Sequence, residues 1–179
     1  MLVPAILYKD ELEKKFQNEI YTERYFYYVG YAYGFELPKI EVRDNYYQWA
    51  IIDKDEYDEE LLGYLAYHIC PDIDSVNNFG WYSFEDGNQT VVRDTYNKLE
   101  ELVNQHHRIE WRVIQGNHAK NGYDRFCEKH GGNIVCLHDV TKDLQGNYRD
   151  EYIYEILNWK RMVHIDINSV LAQIDGVSE

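Results

Sequence analysis

The chain predicts a mixed α/β (α+β) fold: six or seven strands in one mostly antiparallel sheet, flanked by helices. Three observations carry this. Residues 79–132 read strand, helix, strand, helix. Residues 46–85 hold three strand-like runs joined by short polar stretches, which makes them antiparallel neighbours. Residues 133–158 hold two further runs on either side of Gly146–Asn147, a pair suited to positive φ.

Val3–Tyr8 (VPAILY) is a short apolar run ending in charge and reads as a first strand. Asp10 is placed to cap the helix that follows, in which Leu12, Phe16 and Ile20 recur every four residues while Glu11, Glu13, Lys14 and Lys15 face outward. Residues 21–35, YTERYFYYVGYAYGF, extend a helical stripe through Tyr25, Tyr28 and Val29 until Gly30 and Gly34 weaken it. This cluster reads as a helix packed into an aromatic core. Its alternative is a substrate-facing platform, since rings bury area while their hydroxyls orient a ligand. Pro38 closes that region. Tyr46–Asp53 and Leu61–Cys70 read as strands around an acidic hairpin loop at Asp53–Glu60. Pro71–Asn78 reads as a polar turn, and Phe79–Glu85 as the third strand of this set. After the turn EDGN, Thr90–Gln105 carries Val92, Tyr96, Leu99 and Val103 at helical spacing. Arg108–Ile114 alternates, with Ile109, Trp111 and Val113 on one face. Tyr123, Phe126, Cys127 and His130 then recur at helical spacing until Gly131–Gly132 stop the helix. Two successive strand–helix units imply parallel pairing through right-handed crossovers. Asn133–Val140 and Tyr148–Asn158 make the closing hairpin. Residues 1–158 therefore form the domain, and 159–179 form a C-terminal extension with a short helix at 168–175 and a frayed end.

The totals narrow the function classes. A chain of 179 residues is long enough to bury roughly 70% of its unfolded surface, and 45% apolar with 16% aromatic content fits a folded globule. Eighteen tyrosines place many rings at the core margin or in a groove, and their surplus points to a homodimer. A net charge of −14 argues against direct nucleic-acid binding, which wants a basic face. Such charge serves solubility; its sharper reading is a basic protein partner. Cys70, Cys127 and Cys136 are odd in number and form no CxxC, so no disulfide framework is expected and a reducing cytoplasm is the natural location. No signal peptide or membrane-length apolar run is seen. No metal site is expected: His106 and His107 are adjacent and point to different sides, and His118, His130 and His138 meet only if the fold brings them together. Cys127 with His130 one turn away is a thin signal for a nucleophile.

One order of motifs is more specific: Gly116–Asn117, then YDRF at Tyr123–Phe126, then His130–Gly132, a strand, Asp143, Gly146, Tyr148 and Tyr154–Ile156. With the element order, this resembles the GNAT family of N-acetyltransferases over about residues 1–158, and is most similar to small GNAT-like proteins of bacteria and their phages. The resemblance implies a GNAT-like sheet and transfer of an acetyl group from acetyl-CoA to an amine of unknown identity. The amine must lose a proton, the thioester carbonyl must be polarised and the leaving thiolate must gain a proton. In the family, backbone N–H groups at a helix N-terminus hold the cofactor's pyrophosphate, because the helix dipole and close backbone approach favour the anion.

Carried onto this sequence, the resemblance implies a cofactor seat at Gly87, Asn88, Gln89 and Thr90, with Arg93 near a phosphate and Asn117 near the pantetheine arm. It implies Tyr123 as proton donor to the thiolate, and Glu85, or His68 through a water, as base for the amine. Structural roles compete at each position: Glu85 and Asp86 as helix caps, Asn117 as a turn residue, Tyr123 as core. The sequence also departs from the family's loop, which runs glutamine or arginine, two residues, glycine, one residue, glycine or alanine. Here one glycine is missing and two acids, Glu85 and Asp86, stand where a basic or amide residue is usual. Cys127 stands where many members place the tyrosine. Two readings follow: an N-acetyltransferase, and a catalytically inactive acidic binding protein, such as a phage factor that engages or inhibits a host protein.

Overall fold

The computed structural model describes residues 1–30, 36–54 and 59–159. In chain order the elements are β1 (Leu2–Pro4), a 3-10 turn (Ala5–Tyr8), α1 (Lys9–Glu19), α2 (Glu23–Val29), β2 (Tyr46–Lys54) and β3 (Glu59–Cys70). A second 3-10 turn (Pro71–Ile73), β4 (Ser75–Ser83), α3 (Gln89–Gln105), β5 (Arg108–Ile114), α4 (Lys120–Lys129), β6 (Asn133–Lys142) and β7 (Tyr148–Leu157) follow. The seven strands form one sheet in the order β1-β2-β3-β4-β5-β7-β6. Every neighbouring pair is antiparallel except β4 and β5.

That exception positions the site. β4 and β5 are parallel, joined by the α3 crossover, and pair only at Ser75↔Arg108 and Val76↔Ile109. Beyond those residues the two strands part, and the sheet opens into a wedge toward their C-terminal ends. Asn78, at φ 55, sits where the β3–β4 register shifts; a bulge of this kind bends its strand.

The two faces carry separate cores. On one, Phe16 of α1 and Tyr25 of α2 pack with Tyr64 and Tyr82 of the sheet, with ring centroids 5.2–6.2 Å apart and mostly edge-on or tilted, the arrangement ring quadrupoles favour. Tyr25 and Tyr28 thus enter an aromatic core, as their spacing predicts. On the other face, Val91, Leu99, Leu102 and Val103 of α3 and Tyr123, Phe126 and Cys127 of α4 cover Ile109, Trp111, Val113 and Tyr154. Phe26 of α2 packs on Ile114 of β5, so α2 reaches across the wedge.

α4 ends as its glycines predict. Gly131 sits at φ 64, its N–H donates to Glu128, and the Gly132 N–H donates to the Cys127 carbonyl. This is the paired bond pattern of a Schellman cap.

Several expectations are corrected. The first strand pairs only over Leu2–Pro4; Pro4 has no N–H for the ladder, and the chain turns into a 3-10 segment at Ala5. Asp10 lies inside the first turn of α1 rather than at its cap, because that 3-10 segment runs directly into the helix with Tyr8 at the boundary. There it favours the helix dipole. β4 begins at Ser75, inside the stretch read as a polar turn, since Asn77 and Asn78 are carried at a bulged register. The second crossover does not bring β6 beside β5: β7 inserts between them, antiparallel to both. The centre of the acidic loop at 55–58, the segment 31–35 and the extension helix at 168–175 lie outside the described residues.

Candidate active site

The wedge forms a cleft of about 430 Å³ between β4 and β5. Its walls come from four elements and two loops: Glu23, Arg24, Tyr27 and Tyr28 of α2, Gly80–Ser83 of β4, Glu85–Gly87 of the following loop, Arg112 and Val113 of β5, and Asn117–Ala119 with Tyr123 around the start of α4. Residues far apart in the chain meet here because the sheet splays and α2 closes the gap.

The loop before α3 decides whether the cleft can hold an anion. Asn88 is the N-cap, its Oδ1 accepting from the Val91 N–H at 3.1 Å. Asn88 Nδ2 donates to Glu85 Oε2 at 3.1 Å, and Arg24 holds Asp86 at 3.2 Å. Arg24 also donates to the carbonyls of Ser83 and Phe84, at 3.2 and 2.8 Å. Both acids of the loop therefore have partners, and neither carboxylate caps the helix; that expectation for Glu85 and Asp86 is corrected by Asn88. The N–H groups of Gly87, Asn88, Gln89 and Thr90 meet no protein acceptor among the described residues. Gly87, at φ 68, leaves open space where a Cβ would stand. Four unpaired N–H groups at a helix N-terminus suit an anion, with Asp86 paired to Arg24 and Glu85 bonded to the uncharged Asn88 amide. Of these four residues, only Gly87 lines the cleft itself.

Arg93 is not brought to the cleft: it is 62% exposed and bonded to Asp94 at 2.9 Å. Asn117 does reach it, while its Oδ1 accepts from the Ala119 N–H at 2.8 Å to start α4. Asn117 thus serves the turn and lines the cleft at once, and its Nδ2 has no protein partner among the described residues.

Tyr123 lines the cleft floor and packs on Trp111 and Tyr154 at ring distances of 5.5 and 5.9 Å. Burial pushes its phenol far up. Burial likewise raises Tyr28, raises Tyr27 with help from Glu23, and raises Tyr82 with help from Glu19. These four phenols stay protonated at neutral pH: they donate and do not serve as bases. Base candidates in the cleft are thus Glu23, Glu85, Asp86 and His118. Glu23 accepts from Tyr27 Oη at 3.1 Å. His68 lies on β3 and does not line the cleft. Cys127 is buried against the carbonyl of Asn133, and His130 turns instead to Glu100 at 3.0 Å, so the two make no nucleophile–base pair.

Tyr27 and Tyr28 lie in the stretch whose alternative reading is a substrate-facing platform, whereas sequence reasoning missed Arg24, Trp81, Arg112 and His118 as wall residues. Of these only His118 carried a signal, lying next to Asn117 in the GNH turn. The others come from strands and a helix whose meeting depends on the splay.

No helix among the described residues is long and apolar enough to cross a membrane. No family model matches the sequence, and no curated protein is similar to it. Solved structures are similar in fold. An N-acetyltransferase from Staphylococcus aureus Mu50 superposes at a TM-score of 0.60 and 12% identity, over 88% of this chain and 97% of that one. The ribosomal-protein-alanine N-acetyltransferase from Brucella melitensis gives 0.58 and 13%, over 88% and 99%. A probable acetyltransferase of the GNAT family from Chromobacterium violaceum gives 0.57 and 14%, over 88% and 81%. The chain spans only 58–66% of three further structures described as acetyltransferases, each at a TM-score of 0.45, too low to carry an argument. With one parallel pair splayed in an otherwise antiparallel seven-stranded sheet, and with these likenesses, the chain has the GNAT fold.

Proposed function

We propose that the protein is an N-acetyltransferase that takes its acetyl group from acetyl-CoA and delivers it to an amine. The observation that carries this reading is the set of unpaired N–H groups from Gly87 to Thr90 at the mouth of the wedge. Acetyl-CoA would supply the activated acyl group as a thioester. The N–H groups of Gly87, Asn88, Gln89 and Thr90 would hold its pyrophosphate. Arg24 keeps the Asp86 carboxylate from repelling it. The unpaired edges of β4 and β5 and the Asn117 amide offer bonds to an extended arm, as an added strand would use.

Tyr123, held protonated by burial, is the proton donor to a leaving thiolate. Glu85, in the wall of the same cleft, takes the proton of the amine. Arg93 is left out of this assignment, since it pairs with Asp94 on the exposed flank of α3.

Titration calorimetry with acetyl-CoA tests the reading. Saturable binding at sub-millimolar concentration is expected; no heat at millimolar acetyl-CoA overturns it. If binding is seen, Tyr123→Phe is expected to lower kcat by about 100-fold with little change in KM, the loss typical of a missing general acid.

A further inference from the structure

The outer hairpin carries a second chemistry, far in sequence from the wedge loop. Cys136 and His138 are two apart on β6, so their side chains share one face. Cys136 lies opposite Tyr152 on β7, and Asp150 lies two residues before it, again on that face. We propose that Cys136, His138 and Asp150 form a zinc site with three protein ligands and a fourth position open to water.

The distances have the right size. Zinc bonds of about 2.3 Å to sulfur and about 2.0–2.1 Å to nitrogen or oxygen, at tetrahedral angles, set ligand atoms about 3.5 Å apart for sulfur to nitrogen or oxygen, and about 3.3 Å for nitrogen to oxygen. Cys136 Sγ lies 3.8 Å from His138 Nδ1 and 3.7 Å from Asp150 Oδ2, and His138 Nδ1 lies 3.2 Å from Asp150 Oδ2. All three pairs agree with one tetrahedral face to within 0.3 Å.

The carboxylate is held in place by its surroundings. Asp150 Oδ1 accepts the Asp139 N–H at 3.1 Å, which leaves Oδ2 for the metal. The Asp150 backbone is tied to Gln115 on both sides, its carbonyl accepting the Gln115 N–H at 2.8 Å and its N–H donating to Gln115 Oε1 at 3.3 Å. Asp139, at φ 55, belongs to the register break between Leu137 and Thr141 that brings its N–H to Asp150. Outer bonds of this kind orient metal ligands. Lys120 is engaged with Asp124 at 2.8 Å and with the Tyr152 ring, and does not hold the Asp150 carboxylate. One thiolate, one imidazole and one carboxylate in a tetrahedral face favour zinc over calcium or magnesium, which take oxygen ligands. Binding releases the thiol proton to solvent, and the thiolate and carboxylate together neutralise the divalent ion.

The test is titration of the reduced full chain with cobalt chloride as a spectroscopic stand-in, then with zinc chloride. A single equivalent of cobalt is expected to give a thiolate-to-metal charge-transfer band and the intense d–d bands of a tetrahedral site, both erased by zinc. Cys136→Ser, which keeps Cys70 and Cys127, is expected to lose the charge-transfer band. His138→Ala and Asp150→Asn are expected to weaken zinc binding by about 100-fold, at the upper end of what losing even an outer partner costs. Zinc is also expected to raise Tm in the natural chain alone. His138 is 78% exposed, so His138→Ala leaves the fold intact, as circular dichroism checks. Absence of the bands in the natural chain, their persistence in Cys136→Ser, or unchanged zinc affinity in His138→Ala overturns the proposal.

Discussion

Gly132 shows how much a single position can hold. A Cβ there would meet Cys127 Sγ and the Glu155 carbonyl oxygen at 2.6 Å, and Ile156 Cγ1 at 2.8 Å. The carbonyl belongs to a paired strand and cannot retreat. Gly132→Ala is therefore expected to destabilise the protein by about 1–3 kcal/mol, the usual cost of overpacking, read as a lower denaturant midpoint. Gly131 next to it is constrained differently, by φ 64 with open space around it. Tyr123 illustrates the other kind of residue: it is core by packing and a site residue by where its cleft-facing surface lies. A sequence offers these two roles as alternatives, and a folded wedge lets one side chain fill both.

At the scale of elements, α3 does two jobs. Its apolar stripe, Val91, Leu99, Leu102 and Val103, covers one face of the sheet. Its first N–H groups meet no protein acceptor among the described residues, next to Gly87 in the cleft wall. Asn88 serves both, since it caps the helix and ties Glu85 back through its amide. Asn88→Ala is expected to cost about 1 kcal/mol of stability by denaturant unfolding, the ordinary loss of an N-cap. α1 has no side-chain cap and relies on the aromatic cluster around Phe16, while α2 adds the Thr22 hydroxyl cap to the same packing. The short α2, seven residues, is held by tertiary packing, as a helix of that length must be.

For the whole molecule, the balance of charge and burial sets the response to pH. Burial works to raise the Asp143 carboxyl, but the N–H groups of Asn147 and Gln145 and the Arg149 guanidinium outweigh it and hold the carboxyl low. Asp143 pins the β6–β7 turn through these bonds, at 2.8–3.2 Å. Asp94 and Asp124 are also held low against their burial, Asp94 by its cationic neighbours and Asp124 by Lys120 and Tyr154. Carboxylates held low in the folded state bind fewer protons there than in the unfolded chain. Their contribution is complete above the unfolded value of about 3.9 and is lost as pH falls through the folded values. Tm is expected to fall steeply below about pH 4 and the Asp143→Asn variant to show a flatter acid limb; an unchanged limb would remove Asp143 from this account.

The sequence by itself determined the elements and their class. Periodicity of three and four gave α3 and α4, alternation gave β5 with unaltered bounds, and paired glycines marked the end of α4, because these signals depend on near neighbours alone. It also determined that β4, α3 and β5 make a crossover, and hence that one pair in the sheet is parallel. Tertiary structure decided the rest. Only the chain's path in space shows that β7 slips between β5 and β6, that Arg24 neutralises Asp86, that Arg93 leaves the cleft for Asp94, and that a register break sets Cys136, His138 and Asp150 on one tetrahedral face. Those outcomes turn on distances between residues tens of positions apart, which no local pattern encodes.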